Sequence, residues 1–281
     1  MAQNGTGNGH GNGNTGCVGT NLAYTKFLFV VSRHDDDAHG ARLRTAGGNI
    51  ARGFFNDFDI DDSRESQAQP FETIQFFVRD GDGPEPSPSC VGPCLNRARY
   101  LVQVCSKYRP RLQELDEELR RRLGDSADVL ALAGAVRNPR YSSAELVQYA
   151  NKNAPVRRSG RIARNAIVVP IRKTAEWWHM DALERHTYFY PHVDRGSGCP
   201  VKGHAQAAQP GISTLFRRMY HNPDGYQQPD EFDFITYFEC EDEALPVFDS
   251  VLANLRDPGQ NPEWRFVQEG PIWRGKRVLR W

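Results

Sequence analysis

Two stretches decide the fold: Leu215-Phe216-Arg217-Arg218-Met219-Tyr220-His221 and Asp233-Phe234-Ile235-Thr236-Tyr237-Phe238-Glu239. Both read as strands, because aromatic and β-branched residues fill short segments. Side chains alternate along a strand, which puts Leu215, Arg217, Met219 and His221 on one side and Phe216, Arg218 and Tyr220 on the other. An arginine between Leu and Met on an apolar face is costly unless it meets a ligand or a carboxylate. Arg217 is therefore read either as an anion-facing group or as half of a structural ion pair. In the second stretch Phe232, Phe234 and Phe238 are read as one aromatic face opposite Asp233, Ile235 and Tyr237. Such a face suits either a flat cofactor or ordinary core.

Working outward, Ala23 to Val31, Glu72 to Val78, Tyr100 to Val104 and Ala166 to Ile171 read as further strands. Pro110 opens a charged helix that runs to Leu123, with Leu112, Leu115, Leu119 and Leu123 on one stripe and Gly124 closing it. Trp177 to Tyr190 and Leu245 to Leu255 read as helices. Asp80 to Pro93 is dense in Gly, Pro and Ser and reads as a loop, and Thr45 to Gln69 shows no clean period. Strands and helices alternate in both halves, which suits an α+β fold of two ferredoxin-like units whose sheets fuse into one barrel. The expected division is a Gly/Asn-rich tail over residues 1–20, an N-terminal half over 21–160 and a C-terminal half over 161–281.

Bulk properties narrow the function. With 281 residues and 39% hydrophobic content the chain can bury one large core or two small ones. Lys plus Arg and Asp plus Glu both number 35, so the formal net charge is zero and no field of one sign draws in a polyanion. Nucleic acid is not expected as a partner. The six cysteines, Cys17, Cys90, Cys94, Cys105, Cys199 and Cys240, are scattered and read as reduced thiols. No stretch approaches the length of a membrane span. The opening MAQNGTGNGHGNGNTGC lacks the apolar run of a secretory signal, so a cytoplasmic protein off the membrane is expected.

The order of motifs resembles the chlorite dismutase family. In that family a strand ending in Pro-x-Lys/Arg precedes a tryptophan, then come a helix with a Glu-Arg turn, the proximal histidine, a strand bearing an arginine, and an Asp-Phe-Ile-Thr-Tyr-Phe-Glu strand. This chain has Val169-Pro170-Ile171-Arg172, Trp177-Trp178-His179-Met180, Leu183-Glu184-Arg185 and then the two strands quoted first. The resemblance covers the last 110 or so residues well, and the N-terminal half only in its order of elements. It implies a dimeric α+β barrel, a haem b cofactor in the C-terminal half, and a homo-oligomer acting on a small oxyanion or peroxide.

By the same resemblance His204 is the iron ligand, with His192 as the alternative. His204 lies thirteen residues before Arg217, as in the family, whereas His192 keeps the family's spacing from Arg185. Gly203-His204-Ala205-Gln206-Ala207-Ala208 reads as a helical turn of small residues on which a planar group can rest. His192 follows Pro191 and leads into a polar, Gly-bearing segment. Arg217 is implied as the catalytic guanidinium, and Trp177, Met219 and Phe234 as cofactor-binding residues. A gapless count back from Pro271 puts Asn261 where the family has a glutamate behind the ligand imidazole, and Glu263, two residues on, is the candidate replacement. The implied reaction breaks chlorite into chloride and dioxygen, with Arg217 holding the leaving hypochlorite. Three rivals remain open: peroxidase-like chemistry, a specialised biosynthetic role, and a non-catalytic haem-binding module. Coproheme decarboxylation needs a tyrosine at the position of Val169.

Overall fold

The structure, a computed structural model, describes residues 24–33, 45, 73–81, 95–136 and 163–278. The Gly/Asn-rich opening, nearly all of the unpatterned stretch after Thr45, most of the Asp80 to Pro93 loop, the expected boundary at 160, and Cys17, Cys90 and Cys94 lie outside those residues.

Strand β1 (Tyr24–Ser32) is central, pairing antiparallel with two neighbours. Its alternate residues serve two cores, Leu28 and Val30 on one face and Phe27 and Phe29 on the other, so it reads as a continuous apolar run. β2 (Thr73–Arg79) and β3 (Tyr100–Ser106) follow, then helix α1 (Arg109–Leu123). The predicted stripe is buried, with Leu112, Leu115, Leu119 and Leu123 against Leu28, Phe76 and Val102, and the helix ends at Gly124 (φ 49°). β4 (Ala127–Ala135) pairs with β1 along its whole length.

The C-terminal half starts with β5 (Asn165–Lys173). The single helix read over Trp177 to Tyr190 is instead two, α2 (Ala175–His179) and α3 (Ala182–Thr187). Met180 is extended between them, and the Asp181 side chain accepts from the amide of Glu184, so a new N-cap restarts the helix. A two-strand hairpin, β6 (His192–Val193) with β7 (Pro200–Val201), leads to α4 (Gly203–Ile212), β8 (Phe216–His221) and β9 (Phe234–Cys240). α5 (Leu245–Arg256), β10 (Val267–Glu269) and β11 (Trp273–Val278) complete the order.

Nine strands form one sheet in the order β10-β5-β11-β2-β3-β1-β4-β8-β9, and β9 returns to pair with β5. Eight of them thus close a barrel, with β10 alongside β11 on the same edge of β5. The closure is thin at one seam, where among the described residues the backbone of β4 pairs with β8 at Ala135 and His221 alone. The interior is filled by Phe27, Phe29, Phe77, Phe216, Tyr220, Tyr237 and Trp273, with edge-on contacts such as Phe27 to Tyr220 (centroids 5.6 Å, 75°). Their polar atoms are satisfied inside: Gln103 donates to the Tyr220 hydroxyl at 3.1 Å and Trp273 to the Ala98 carbonyl at 2.9 Å. A filled barrel leaves no room for a planar cofactor, so any such group must lie on an outer face.

The alternation read for β8 is visible, with Phe216 and Tyr220 inside and Leu215 outside among Ile167, Val169, Phe248 and Leu252. Phe232 is a correction. It sits in the interior cluster with Ile235 and Tyr237, whereas Phe238 packs on the outer one. The strand begins only at Phe234, so strict alternation does not extend back to residue 232.

Candidate functional site

The outer face of the β5, β9 and β8 strands forms a grid fixed by register. Ile171, Phe234 and His221 make one row, Val169, Thr236 and Met219 the next, and Ile167, Phe238 and Arg217 the third. Ile171, Phe238, Met219 and Arg217 are only half-buried. The structure therefore places three of the predicted residues, Arg217, Met219 and Phe234, on one surface. The Val169 position carries no phenol.

At the end of this grid lies a buried cluster of three ionisable side chains. Lys173, two residues beyond Ile171 on the same face of β5, points its ammonium at Oε1 of Glu263, 2.5 Å away. Oε2 of the same carboxylate is 2.8 Å from Nδ1 of His204. Lys173 and Glu263 are almost fully buried, with side chains 6% and 5% exposed, while His204 is 23% exposed. Burial alone would raise the Glu263 carboxyl, but Lys173 and His204 outweigh it and hold it down at about 2. Burial pulls the Lys173 ammonium below its ordinary value, opposed by the same carboxylate. Glu263 is thus an anion fixed behind one ring nitrogen, which sets the proton on Nδ1 and leaves Nε2 as the basic atom. Among the described residues Nε2 of His204 has no hydrogen-bond partner.

Local structure holds the imidazole in place. The amides of Lys202 and Gly203 donate to the Gln260 carbonyl, that of His204 to Tyr188 at 2.9 Å and that of Ala205 to Phe189 at 3.0 Å. Gly203 has φ +70°, and a Cβ there would stand 2.5 Å from the Tyr190 carbonyl oxygen. Only glycine permits α4 to begin this close to the preceding chain. Glu263 comes from a short 3-10 turn, Pro262–Phe266. Trp177, fully buried, lies beneath the Lys173 ammonium (4.2 Å to the ring centroid) and packs on Phe266 and Tyr188. Its indole nitrogen is buried without a hydrogen-bond partner among the described residues.

The gapless count that pointed to Asn261 is corrected by this geometry. Asn261 donates to the Leu255 carbonyl at 3.0 Å and so finishes α5, while Glu263 meets His204. His192, the alternative, donates from Nδ1 to the Tyr190 carbonyl at 2.9 Å and stands edge-on to Tyr188; among the described residues no carboxylate hydrogen-bonds to it. Lys173 was missed by sequence reading, which stopped at Arg172. The signal was the alternation Val169, Ile171, Lys173. Asp233, Tyr226 and His221 were missed as a group: the Trp178 indole donates to Asp233 at 3.2 Å and stacks on Tyr226.

No family model matches the chain. The chlorite dismutase of Ideonella dechloratans is 26% identical over 142 residues, covering 50% of this chain and 44% of that relative, so the chain spans less than half of its length. Among solved structures, a tryptophan-to-phenylalanine variant of the chlorite dismutase from Candidatus Nitrospira defluvii in complex with cyanide aligns over 92% of both chains (22% identity, TM-score 0.62). The same organism's enzyme in complex with imidazole aligns as fully (21%, 0.62). A putative chlorite dismutase covers 92% of this chain and 95% of its own at 12% identity and TM-score 0.57. The fold is the chlorite dismutase fold. The sequence likeness runs the same way, to a chlorite dismutase over half of this chain. Among the described residues no helix is long and apolar enough to cross a membrane.

Proposed function

We propose that the chain binds haem b through Nε2 of His204 and decomposes chlorite to chloride and dioxygen, with Arg217 as the anion-holding group. The observation that carries this reading is the His204–Glu263–Lys173 chain, which no structural need of the barrel explains. Burying a carboxylate between an ammonium and an imidazole is expensive, and its chemical product is a strongly electron-donating imidazole with one nitrogen open. That donor set suits an iron porphyrin, whose ligand imidazole is tuned by a hydrogen-bonded carboxylate. The half-buried part of the grid supports the same fit: Met219 and Ile171 offer apolar surface beside Phe234, and the Trp177 N–H is a buried donor without a partner among the described residues.

Haem, when bound, supplies the redox chemistry; the chain's own residues do the rest. Glu263 keeps the Nδ1 proton in place and Lys173 keeps Glu263 ionised. Arg217, beside Met219 on β8, lowers the cost of bringing a small anion to an apolar surface and holds it by its delocalised charge. The half-buried rows around it confine the anion and limit water.

An absorption spectrum of the haem-reconstituted protein, followed by oxygen-electrode measurement with chlorite, tests this. A Soret band with rapid dioxygen release is expected. A Soret band without release favours the peroxidase-like or biosynthetic alternative, and no Soret band refutes haem binding. His204→Ala is expected to lose haem and His192→Ala to keep it; equal occupancy in the first overturns the ligand choice. Arg217→Ala is expected to keep haem and lose most cyanide or nitrite affinity, and unchanged affinity counts against its role.

A further inference from the structure

The loop joining β8 to β9 carries a second group of rings. Tyr226 lies flat on Trp178, with centroids 4.3 Å apart and planes 14° from parallel. Phe234 borders both, 6.0 Å from Trp178 and 5.3 Å from Tyr226. Each of the two oxidisable rings has a proton partner. The Tyr226 hydroxyl is 2.8 Å from Nδ1 of His221, and donates to it when the imidazole proton is on Nε2. The Trp178 N–H donates to Oδ2 of Asp233 at 3.2 Å. His221 and Asp233 are each 1% exposed, while Trp178 and Tyr226 are half-buried.

Loop anchoring alone does not call for this arrangement. Asp233 already pins the loop by accepting from the amides of Gln227 and Lys173, at 2.6 and 2.7 Å, and a phenylalanine at position 226 would stack as well. What a stack does not need is a phenol hydrogen-bonded to a buried imidazole. That pairing matters for oxidation: a phenol gives up an electron far more readily when a base takes its proton as the electron leaves. The stack also starts beside the site, since Trp178 follows Trp177, whose ring lies under Lys173.

We propose that Trp178 and Tyr226 form an electron relay that carries one-electron oxidation from the site to the surface of the protein, where small phenolic donors can reach Tyr226. The relay rests on the haem reading above, with a haem–peroxide oxidant. One electron leaves Tyr226 through Trp178 to that oxidant, the hydroxyl proton moves to Nδ1 of His221, and a neutral phenoxyl radical remains. A donor phenol then returns one electron to the phenoxyl, His221 returns the proton to the Tyr226 oxygen, and the donor releases its own proton to water and departs as a phenoxyl radical.

The test mixes haem-loaded protein with hydrogen peroxide, freezes it at short times and reads the tyrosyl radical by electron paramagnetic resonance. Tyr226→Phe, which keeps the stack, is expected to retain the Soret band and lose most of the tyrosyl signal and of the guaiacol oxidation rate. An unchanged signal with an intact Soret band overturns the relay, as does the absence of any tyrosyl radical in the parent. Should the protein take up no haem, the haem reading fails separately, and a photogenerated one-electron oxidant applied to the haem-free chain decides the relay. A tryptophan radical that converts to tyrosyl in the parent and persists in Tyr226→Phe supports it; the same decay in both overturns it. His221→Gln is expected to slow tyrosyl formation roughly tenfold or more, and an unchanged rate in a folded variant removes the proton-accepting role.

Discussion

Glu263→Gln should be costly even in haem-free protein, for a reason readable from the cluster. The substitution keeps the shape but removes the nearest anion, leaving the Lys173 ammonium almost fully buried with an amide oxygen in its place and Asp233 as the remaining carboxylate that acts on it. Removing one partner of a buried pair typically costs about 3–5 kcal/mol, because the remaining charge is uncompensated. The amide oxygen can still accept from Lys173, which puts the expectation near the lower end, about 3 kcal/mol. That is a large share of the roughly 5–15 kcal/mol that holds a domain together. Urea unfolding is the assay, with the midpoint falling and the denaturant slope unchanged. The companion variant Lys173→Met with Glu263→Gln removes both charges and should recover most of the loss, since an ion pair replaced by neutral groups of similar volume is often nearly neutral. Two results would refute the reasoning: a single variant within about 1 kcal/mol of the parent, or a double variant less stable than the single one.

Acid should act on the same cluster. Glu263 titrates at about 2 in the folded chain against an ordinary 4.5, so its contribution is present above about 4.5 and disappears as pH falls towards 2, on the order of 3 kcal/mol in all. The pH dependence of the unfolding midpoint in that window should flatten in the double variant. Gly134→Ala should destabilise the barrel by about 1–3 kcal/mol, because its Cβ would stand 2.5 Å from Cβ of Tyr220; a neutral result in urea would show that β4 and β8 can part freely. Alkylation of the native protein, mapped by mass spectrometry, should modify exposed Cys199 but spare Cys105 and Cys240 until the chain unfolds. Burial pushes the Cys240 thiol up to about 11.

The parts of this fold that could be read from sequence are those where one physical demand dominates. The leucines of α1 and the apolar runs of β1 and β9 advertise burial directly. β4 went unread because Ala127-Asp128-Val129-Leu130-Ala131-Leu132-Ala133-Gly134-Ala135 is half small residues, chosen for close approach to Tyr220 rather than for hydrophobic contrast. β11 was hidden by Arg274, Lys276 and Arg277, whose charges are matched by Asp249, Asp80 and Glu239 from distant segments. At the site, Arg217, Met219 and Phe234 were visible by alternation. The Glu263 assignment depended on the length of a turn, which sequence spacing does not measure. Lys173 and Tyr226 depended on contacts across 90 and 5 residues respectively.

The position of β11 bears on how the protein is made. It fills the gap between β2 and β5, joining Arg277 to Phe77 and Trp273 to Val168. During synthesis both neighbours emerge from the ribosome long before residue 273, so each carries an open row of amides and carbonyls until β11 has emerged as well. The ring can lock only once β11 is free to pair, which makes the nascent chain a natural client for chaperones that shield strand edges, and makes truncation ahead of Trp273 a lesion of assembly.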